Sequence, residues 1–309
     1  AQLERYDSFS EMLDTFYTRR DRAEQQRRRS HDLIKTVRTL RDRQQRKLAA
    51  QHEELRRTEG REDIRHQAEL VTANIYRLRR GDRSLECEDY YDPACPVVHI
   101  ELDPLKTPQQ NAAALYKEYN KLKAAEQHLT VLTREGERQL DYLNSVLDEL
   151  ERAETDRDLS DIRRELTETG YIRARKGGKA ERVKPQSPLK FVSDDGLEIL
   201  AGRSNAQNDE LTLKLARRTD YWLHTQRVHG SHVIIRCEGE EPPPRTLEQA
   251  AGIAAYYSQA RGAGKVQVDY TMVRNVRKPS GALPGKVVYT DHKTMLAESD
   301  GALAERLKR

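Results

Sequence analysis

Asp220-Tyr221-Trp222-Leu223-His224-Thr225 and, after a short connection, Gly230-Ser231-His232-Val233-Ile234-Ile235 decide how the last third of this chain folds. Both runs are short, rich in aromatic and β-branched residues and set between turn formers, which is the pattern of paired strands. Side chains alternate along a strand, so Asp220, Trp222 and His224 share one face while Tyr221, Leu223 and Thr225 share the other. The only Trp and two of the nine His of the 309-residue chain are gathered in these two runs. An indole and an imidazole on an open sheet face would form a stacking platform for a base or ribose. The alternative is a core Trp with His224 hydrogen-bonded beside it.

Around this pair, strands are expected near 189–193, 196–201, 266–272 and 286–290, and helices near 206–217, 246–261 and at the C-terminus. The last part of the chain, 189–309, thus reads as a compact α+β domain. Gly202 to Asp209 forms a strand-to-helix turn in which Ser204 or Asn205 caps the helix and Gly202 relieves the backbone. With Arg203 it also has the make-up of an anion cradle, without the glycine spacing of a P-loop. Arg274 to Lys286 is a basic, Pro/Gly-rich loop suited to a phosphate backbone. The RNA-contact candidates are therefore Trp222, His224 and His232 at the centre, with Arg203, Asn205, Asn208, Arg236, Arg277 and Lys278 around them.

Upstream, the period changes. After Ser10 there is no Pro or Gly until Gly60, and Ile34, Val37, Leu48 and Leu55 recur at helical spacings. A second such stretch follows Pro108, with Leu115, Leu122, Leu129, Leu140, Leu143, Leu147 and Leu150, and Gly136 as its weak point. At 1.5 Å per residue each helix would be about 70 Å long. Two matched helices around a segment of different character predict a long antiparallel two-helix coiled coil with a small α/β domain at its tip. The expected boundaries are 1–59 for the first helix, 60–106 for the tip, 107–157 for the second helix and 158–188 for a short helix and basic linker. Within the tip, a helix over 64–78 and strands over 84–89 and 97–102 are expected, and Thr107 caps the second helix with Pro108 in its first position.

Composition narrows the function. Only 36% of residues are hydrophobic and 34% are charged, which suits a small globular domain attached to solvated helices. Net charge is +4, yet residues 1–50 hold thirteen Lys/Arg against eight Asp/Glu, and 171–190 hold seven against one. Two basic clusters favour a polyanionic partner, and Arg173, Arg175, Lys176 and Lys179 of the linker join the candidates. Three Cys, an odd number, argue for a reducing compartment. No apolar run is long enough to cross a membrane, so neither a membrane partner nor a signal peptide is expected. The chain opens at Ala1 instead of Met, as a piece of a longer protein would. His224, His229 and His232 lack a fourth ligand, and Cys87 and Cys95 lack knuckle spacing, so no metal or other cofactor is expected. No nucleophile–base pair or Walker element stands out, and no catalysis is expected.

The order of these motifs is itself distinctive. A paired-helix pattern, Leu102-Asp-Pro-Leu-Lys-Thr-Pro-Gln-Gln-Asn-Ala112, G-R-x-N-x-x-N-D over Gly202–Asp209, D-x-W-L-H over Asp220–His224, G-S-H-V-I-I over Gly230–Ile235 and the Lys278-Pro279…Pro284-Gly285-Lys286 loop together resemble the NFACT family over essentially the whole chain. The resemblance implies coiled-coil, middle and RNA-binding (NFACT-R) domains, in a cytoplasmic factor of ribosome-associated quality control. It implies as partners the large ribosomal subunit, through rRNA and stalk-base proteins, and tRNA or peptidyl-tRNA, engaged as a monomer. In the whole protein it implies support of template-free alanine tailing of stalled nascent chains. The family's amino-terminal domain, with the Asp-Arg pair that matters for tRNA recruitment, is expected to lie outside this chain, so this portion should bind and not tail. Two other classes stay open, a fibronectin- or fibrinogen-binding surface adhesin and a purely structural coiled-coil tether.

Overall fold

The computed structural model describes residues 9–173 and 186–309. The chain divides into two compact units, one formed by residues 43–140 and the other by 1–42 with 141–309. Two long helices run through both, α1 (Phe9–Arg56) and α3 (Pro108–Arg152).

In the 43–140 unit, α2 (Arg61–Ala73), a single 3-10 turn (Ile75–Arg77) and the hairpin β1 (Ser84–Glu88) and β2 (Val97–Glu101) form the middle module. Alternation puts Leu85 and Cys87 of β1 and Ile100 of β2 inward, where they pack on Leu70, Val71, Leu102 and Ala112. Glu86 and Glu88 face outward. Asn111 stitches the chain where it re-enters a helix, its Oδ1 accepting from the Asp103 N–H at 2.9 Å and its Nδ2 donating to the Asp103 carbonyl at 3.0 Å. Thr107 and Gln110 cap α3 reciprocally, as the Thr-Pro pair suggested. Gly136 does not interrupt α3. A Cβ there would stand 3.1 Å from both Gln44 Nε2 and Leu48 Cδ1, and Gln44 donates to the Gly136 carbonyl at 3.1 Å.

In the other unit, Leu33 and Val37 of α1 pack against Tyr142, Leu143, Val146 and Leu150 of α3 and against Leu159, Ile162 and Leu166 of α4 (Asp156–Glu168). Thr155 and Asp158 cap α4 through a capping box. The rest is a mixed domain built on a six-stranded antiparallel sheet, β3 (Leu189–Val192), β4 (Glu198–Ala201), β5 (Tyr221–Thr225), β6 (Val233–Ile235), β7 (Lys265–Met272) and β10 (Lys293–Glu298). Its order is β10-β7-β5-β6-β4-β3. The runs Asp220–Thr225 and Gly230–Ile235 supply its central pair, β5 and β6, with Trp222 opposite Ile234.

Each face of this sheet has its own cover. α6 (Pro244–Tyr256) and α7 (Gly301–Leu307) lie on the side carrying Phe191, Ile199, Leu223, Val233, Ile235 and Val268. The opposite side carries Leu200, Trp222 and Ile234 and is covered by α5 (Asn205–Glu210), its π-helical continuation Leu211–Leu215, and the small ladder β8 (Val276–Arg277) with β9 (Val288–Tyr289). Burying a fully enclosed Trp, Phe, Leu or Ile contributes about 1.5–3 kcal/mol each, so a sheet lined on both sides is well supported. At the β3 edge, Lys308 bridges to Phe191 and the Arg309 N–H donates to the Lys190 carbonyl at 2.9 Å. β8 and β10 are the elements that the sequence pattern does not announce.

Candidate nucleic-acid interface

The face that carries Trp222 is closed, which corrects the expectation of an open stacking platform. Trp222 is 0% exposed, packed against Tyr289 with ring centroids 4.7 Å apart, stacked beside His224 at 5.7 Å and edge-on to His232 at 5.3 Å. The ladder β8–β9 and the π-turn lie where a base would have to enter. His232 is also buried, with Nδ1 2.8 Å from Thr212 Oγ1. His224, half-covered, lies opposite Asp269 in the β5–β7 register. Asp269 accepts from Tyr289 Oη–H at 2.7 Å and from Thr294 Oγ1–H at 2.6 Å, tying β9 and β10 to the sheet.

The electrostatics follow from this enclosure. Burial, reinforced by the neighbouring His229, pushes the His224 imidazole down to about 4. Burial, followed by the charge His224 would carry, holds His232 well below the ordinary histidine range. Both rings are therefore neutral near pH 7 and act as polar packing, not as cations for phosphate.

The two asparagines proposed as RNA contacts are internal braces. Asn208 is buried, donates to the Gly230 carbonyl at 3.2 Å and accepts from the His232 N–H at 3.0 Å. Asn205 is buried and donates to Ser145 Oγ at 2.8 Å. Their fit explains two glycines. A Cβ at Gly202 would stand 2.1 Å from Asn208 Oδ1, and one at Gly285, whose φ is +78°, would stand 2.2 Å from Asn205 Oδ1. The anion cradle read at the start of α5 is also filled from within. The Ala206 N–H donates to Glu165 Oε2 at 2.8 Å, while Ser204 caps the helix by accepting from the Gln207 N–H. An external phosphate would have to displace that carboxylate.

Of the basic candidates, three are held by acids. Arg203 lies 3.4 Å from Asp158, Arg236 lies 3.0 Å from Asp220, and Lys278 is hydrogen-bonded to Asp209 and the Leu283 carbonyl. These cations are committed to the fold. Arg277 is exposed on β8 and Arg173 is exposed after α4. Arg175, Lys176 and Lys179 lie outside the described residues.

The structure adds Lys214 and Arg218, which motif reading passed over, to Arg274 and Arg277 of the basic loop. All four are exposed and, among the described residues, make no ion pair. They sit on two segments that run together over the Trp222 face. Leu211, Val273 and Val276 share one apolar cluster with Trp222, and the Arg274 N–H donates to the Arg218 carbonyl at 3.1 Å. Leu213 and Leu215 are exposed between these cations. The Trp–His–Tyr cluster underneath is thus the support, and the basic segments above it are the surface. The sequence held one signal for this set: none of residues 211–218 is acidic.

Comparison with known proteins fits this arrangement. The family profile for NFACT N-terminal and middle domains matches residues 1–185, and that for the NFACT protein RNA binding domain matches residues 188–291. The chain belongs to the NFACT family. Rqc2 homolog RqcH of Bacillus subtilis is 38% identical over 314 residues, which cover 100% of this chain and 54% of the relative. The Drosophila melanogaster ribosome quality control complex subunit NEMF homolog is 23% identical, over 86% of this chain and 30% of its own length. A solved structure, the C-terminal part of the fibronectin/fibrinogen-binding protein from Streptococcus suis, matches 93% of this chain and 100% of its own with a TM-score of 0.75 and 32% identity. The chain spans about half the length of the Bacillus relative. Lys214, Arg218, Arg274 and Arg277 lie within the segment that matches the NFACT RNA-binding domain. No described helix is long and apolar enough to cross a membrane.

Proposed function

We propose that this chain is the ribosome- and RNA-binding portion of a cytoplasmic quality control factor that acts on stalled large subunits, and that it contributes binding and not catalysis. The observation that carries the reading is the unpaired basic surface of the NFACT RNA-binding domain, Lys214, Arg218, Arg274 and Arg277, raised on two segments that a buried aromatic cluster holds in place. Such cations neutralise phosphates and release counterions, which gives affinity without base readout. The name of the Drosophila relative supplies the setting of ribosome quality control, and in this reading rRNA and peptidyl-tRNA are the polyanion, with alanine tailing left to the whole protein. The arm is part of the proposal. In one unit Leu33 and Val37 share a core with Tyr142 to Leu150, and in the other Gln44 meets Gly136 and Arg61 meets Glu126. Within the 43–140 unit, numbers rise from Gln44 to Arg61 of α2 while they fall from Gly136 to Glu126, which supports an antiparallel course of the chain there.

A salt series tests the reading. Binding to tRNA, and co-sedimentation with large subunits, should weaken linearly in log–log form. The double variant Arg218→Glu/Arg274→Glu should lower the slope by roughly two and affinity by at least about tenfold. Equal slopes for both proteins would remove this surface from the proposal. Capture by immobilised fibronectin with no affinity for RNA would favour the adhesin reading, which the name of the Streptococcus suis protein suggests.

A further inference from the structure

The helical base and the RNA-binding domain meet within one compact unit, and their junction is unusual in what it buries. Glu149 of α3 is 3% exposed and Glu165 of α4 is 2% exposed. Both reach the start of α5. Glu165 Oε2 accepts the Ala206 N–H at 2.8 Å, and its Oε1 accepts Tyr142 Oη–H at 2.8 Å. The backbone N–H of Asn205 acts on the Glu149 carboxylate, and Glu149 Oε2 has no hydrogen-bond partner among the described residues. A buried, unsatisfied carboxylate oxygen costs several kcal/mol when it carries charge and much less when it carries a proton.

No cation among the described residues makes an ion pair with either carboxylate. From α3, Arg152 faces Glu149 but is bonded to Asp148 at 2.7 Å and to Ser231 Oγ at 3.2 Å. Arg203 pairs with Asp158 of α4, and Lys278 serves Asp209 of α5. Asp148 and Asp209 add negative charge, and Tyr142 is neutral. Burial, and then the charge of Glu165, pushes Glu149 well above the ordinary carboxylate range; burial also raises Glu165, against the bonds from Ala206, Tyr142 and Asn205. Two like charges in a dry site cannot both ionise cheaply, so the pair keeps a proton.

We propose that this junction is a proton-linked latch: the Glu149–Glu165 pair holds α5, and with it the RNA-binding domain, against the helical base while one of the two carboxyls is protonated, and loosens when that proton leaves. The sign follows from linkage. The docked form holds a proton that the undocked form gives up, so docking is strongest below the ordinary carboxylate value of 4.5, weakens as pH rises from there through the raised value, and is level above it. The latch does not depend on what the basic surface binds.

Amide hydrogen exchange over Arg203–Glu210, corrected for intrinsic rate and followed from pH 4 to 9 on the full 309-residue chain, reads the latch directly. Wild-type protection should fall with pH, at most about tenfold per unit for one proton. In Glu149→Gln it should stay level and exceed wild type at the alkaline end. Parallel profiles, or a flat wild type, would overturn the latch. Should Glu149→Gln fold poorly, glutamate-labelled infrared spectroscopy of the unaltered chain decides. A protonated carboxyl band that persists above pH 4.5 must vanish over the same interval in which protection falls, and its absence above pH 4.5 rejects the proposal.

Discussion

The RNA-binding domain and the middle module treat their aromatic side chains in opposite ways. In the first, Trp222, Phe191, Tyr221 and Tyr257 are buried, and among the described residues the exposed large apolar side chains are Leu213, Leu215, Val288 and Leu296. In the second, Tyr76, Tyr90 and Tyr91 are exposed together with Val97 and Leu105, and Tyr91 lies flat on His66 at 4.3 Å. The cause is geometric. A six-stranded sheet covered on both faces has room for large rings inside, whereas a two-stranded hairpin has one inward face and fills it with Leu85, Cys87 and Ile100. Residue type alone therefore misplaces an interface. The aromatic cluster of the RNA-binding domain supplies stability, and its cations supply the surface.

The sharpest way to break this contrast is Trp222→Ala. Emptying a fully enclosed site should destabilise the RNA-binding domain by about 3–5 kcal/mol, seen in denaturant unfolding. A change below about 1 kcal/mol with RNA affinity lost would restore the open platform. Next in size is Gly285→Ala, which forces a Cβ into Asn205 and keeps a left-handed φ. A loss of about 1–3 kcal/mol is expected, and an unchanged melting temperature would mean that loop and asparagine are not interlocked. Acidification comes third. His224 is neutral when folded, with its value lowered from 6.5 to about 4. Stability contributed by this group is therefore complete above pH 6.5 and is lost as pH falls toward about 4, because the unfolded chain binds the proton first. His224→Phe should flatten the unfolding midpoint over that interval; an identical slope in the variant would assign the acid sensitivity elsewhere. The smallest effect belongs to the middle module. Tyr76→Ala should change stability by less than about 0.5 kcal/mol in thermal unfolding, and a larger loss would show that its exposed ring carries packing after all.

Much of this architecture is legible in the amino-acid order, for reasons visible at single residues. Aromatic and β-branched residues between turn formers mark β5 and β6, and the Thr107-Pro108 pair marks the start of α3. β10 escapes because Lys293-Thr-Met-Leu-Ala-Glu298 lacks alternation; as an edge strand it buries only Ala297. The cover over Trp222 escapes because it consists of a five-residue π-turn and two-residue strands, too short to show a period. The basic candidates misled for a related reason. Arg203 and Asp158 are 45 positions apart, and Lys278 and Asp209 are 69 apart, so their neutralisation is a long-range fact that local composition does not contain.

The pairing of Lys308 and Arg309 along β3 has a consequence for handling the molecule. An outermost strand left bare offers its amides and carbonyls to any other copy it meets. These two residues occupy that row, so trimming them would invite sheet-to-sheet polymerisation even with every residue of the basic surface intact.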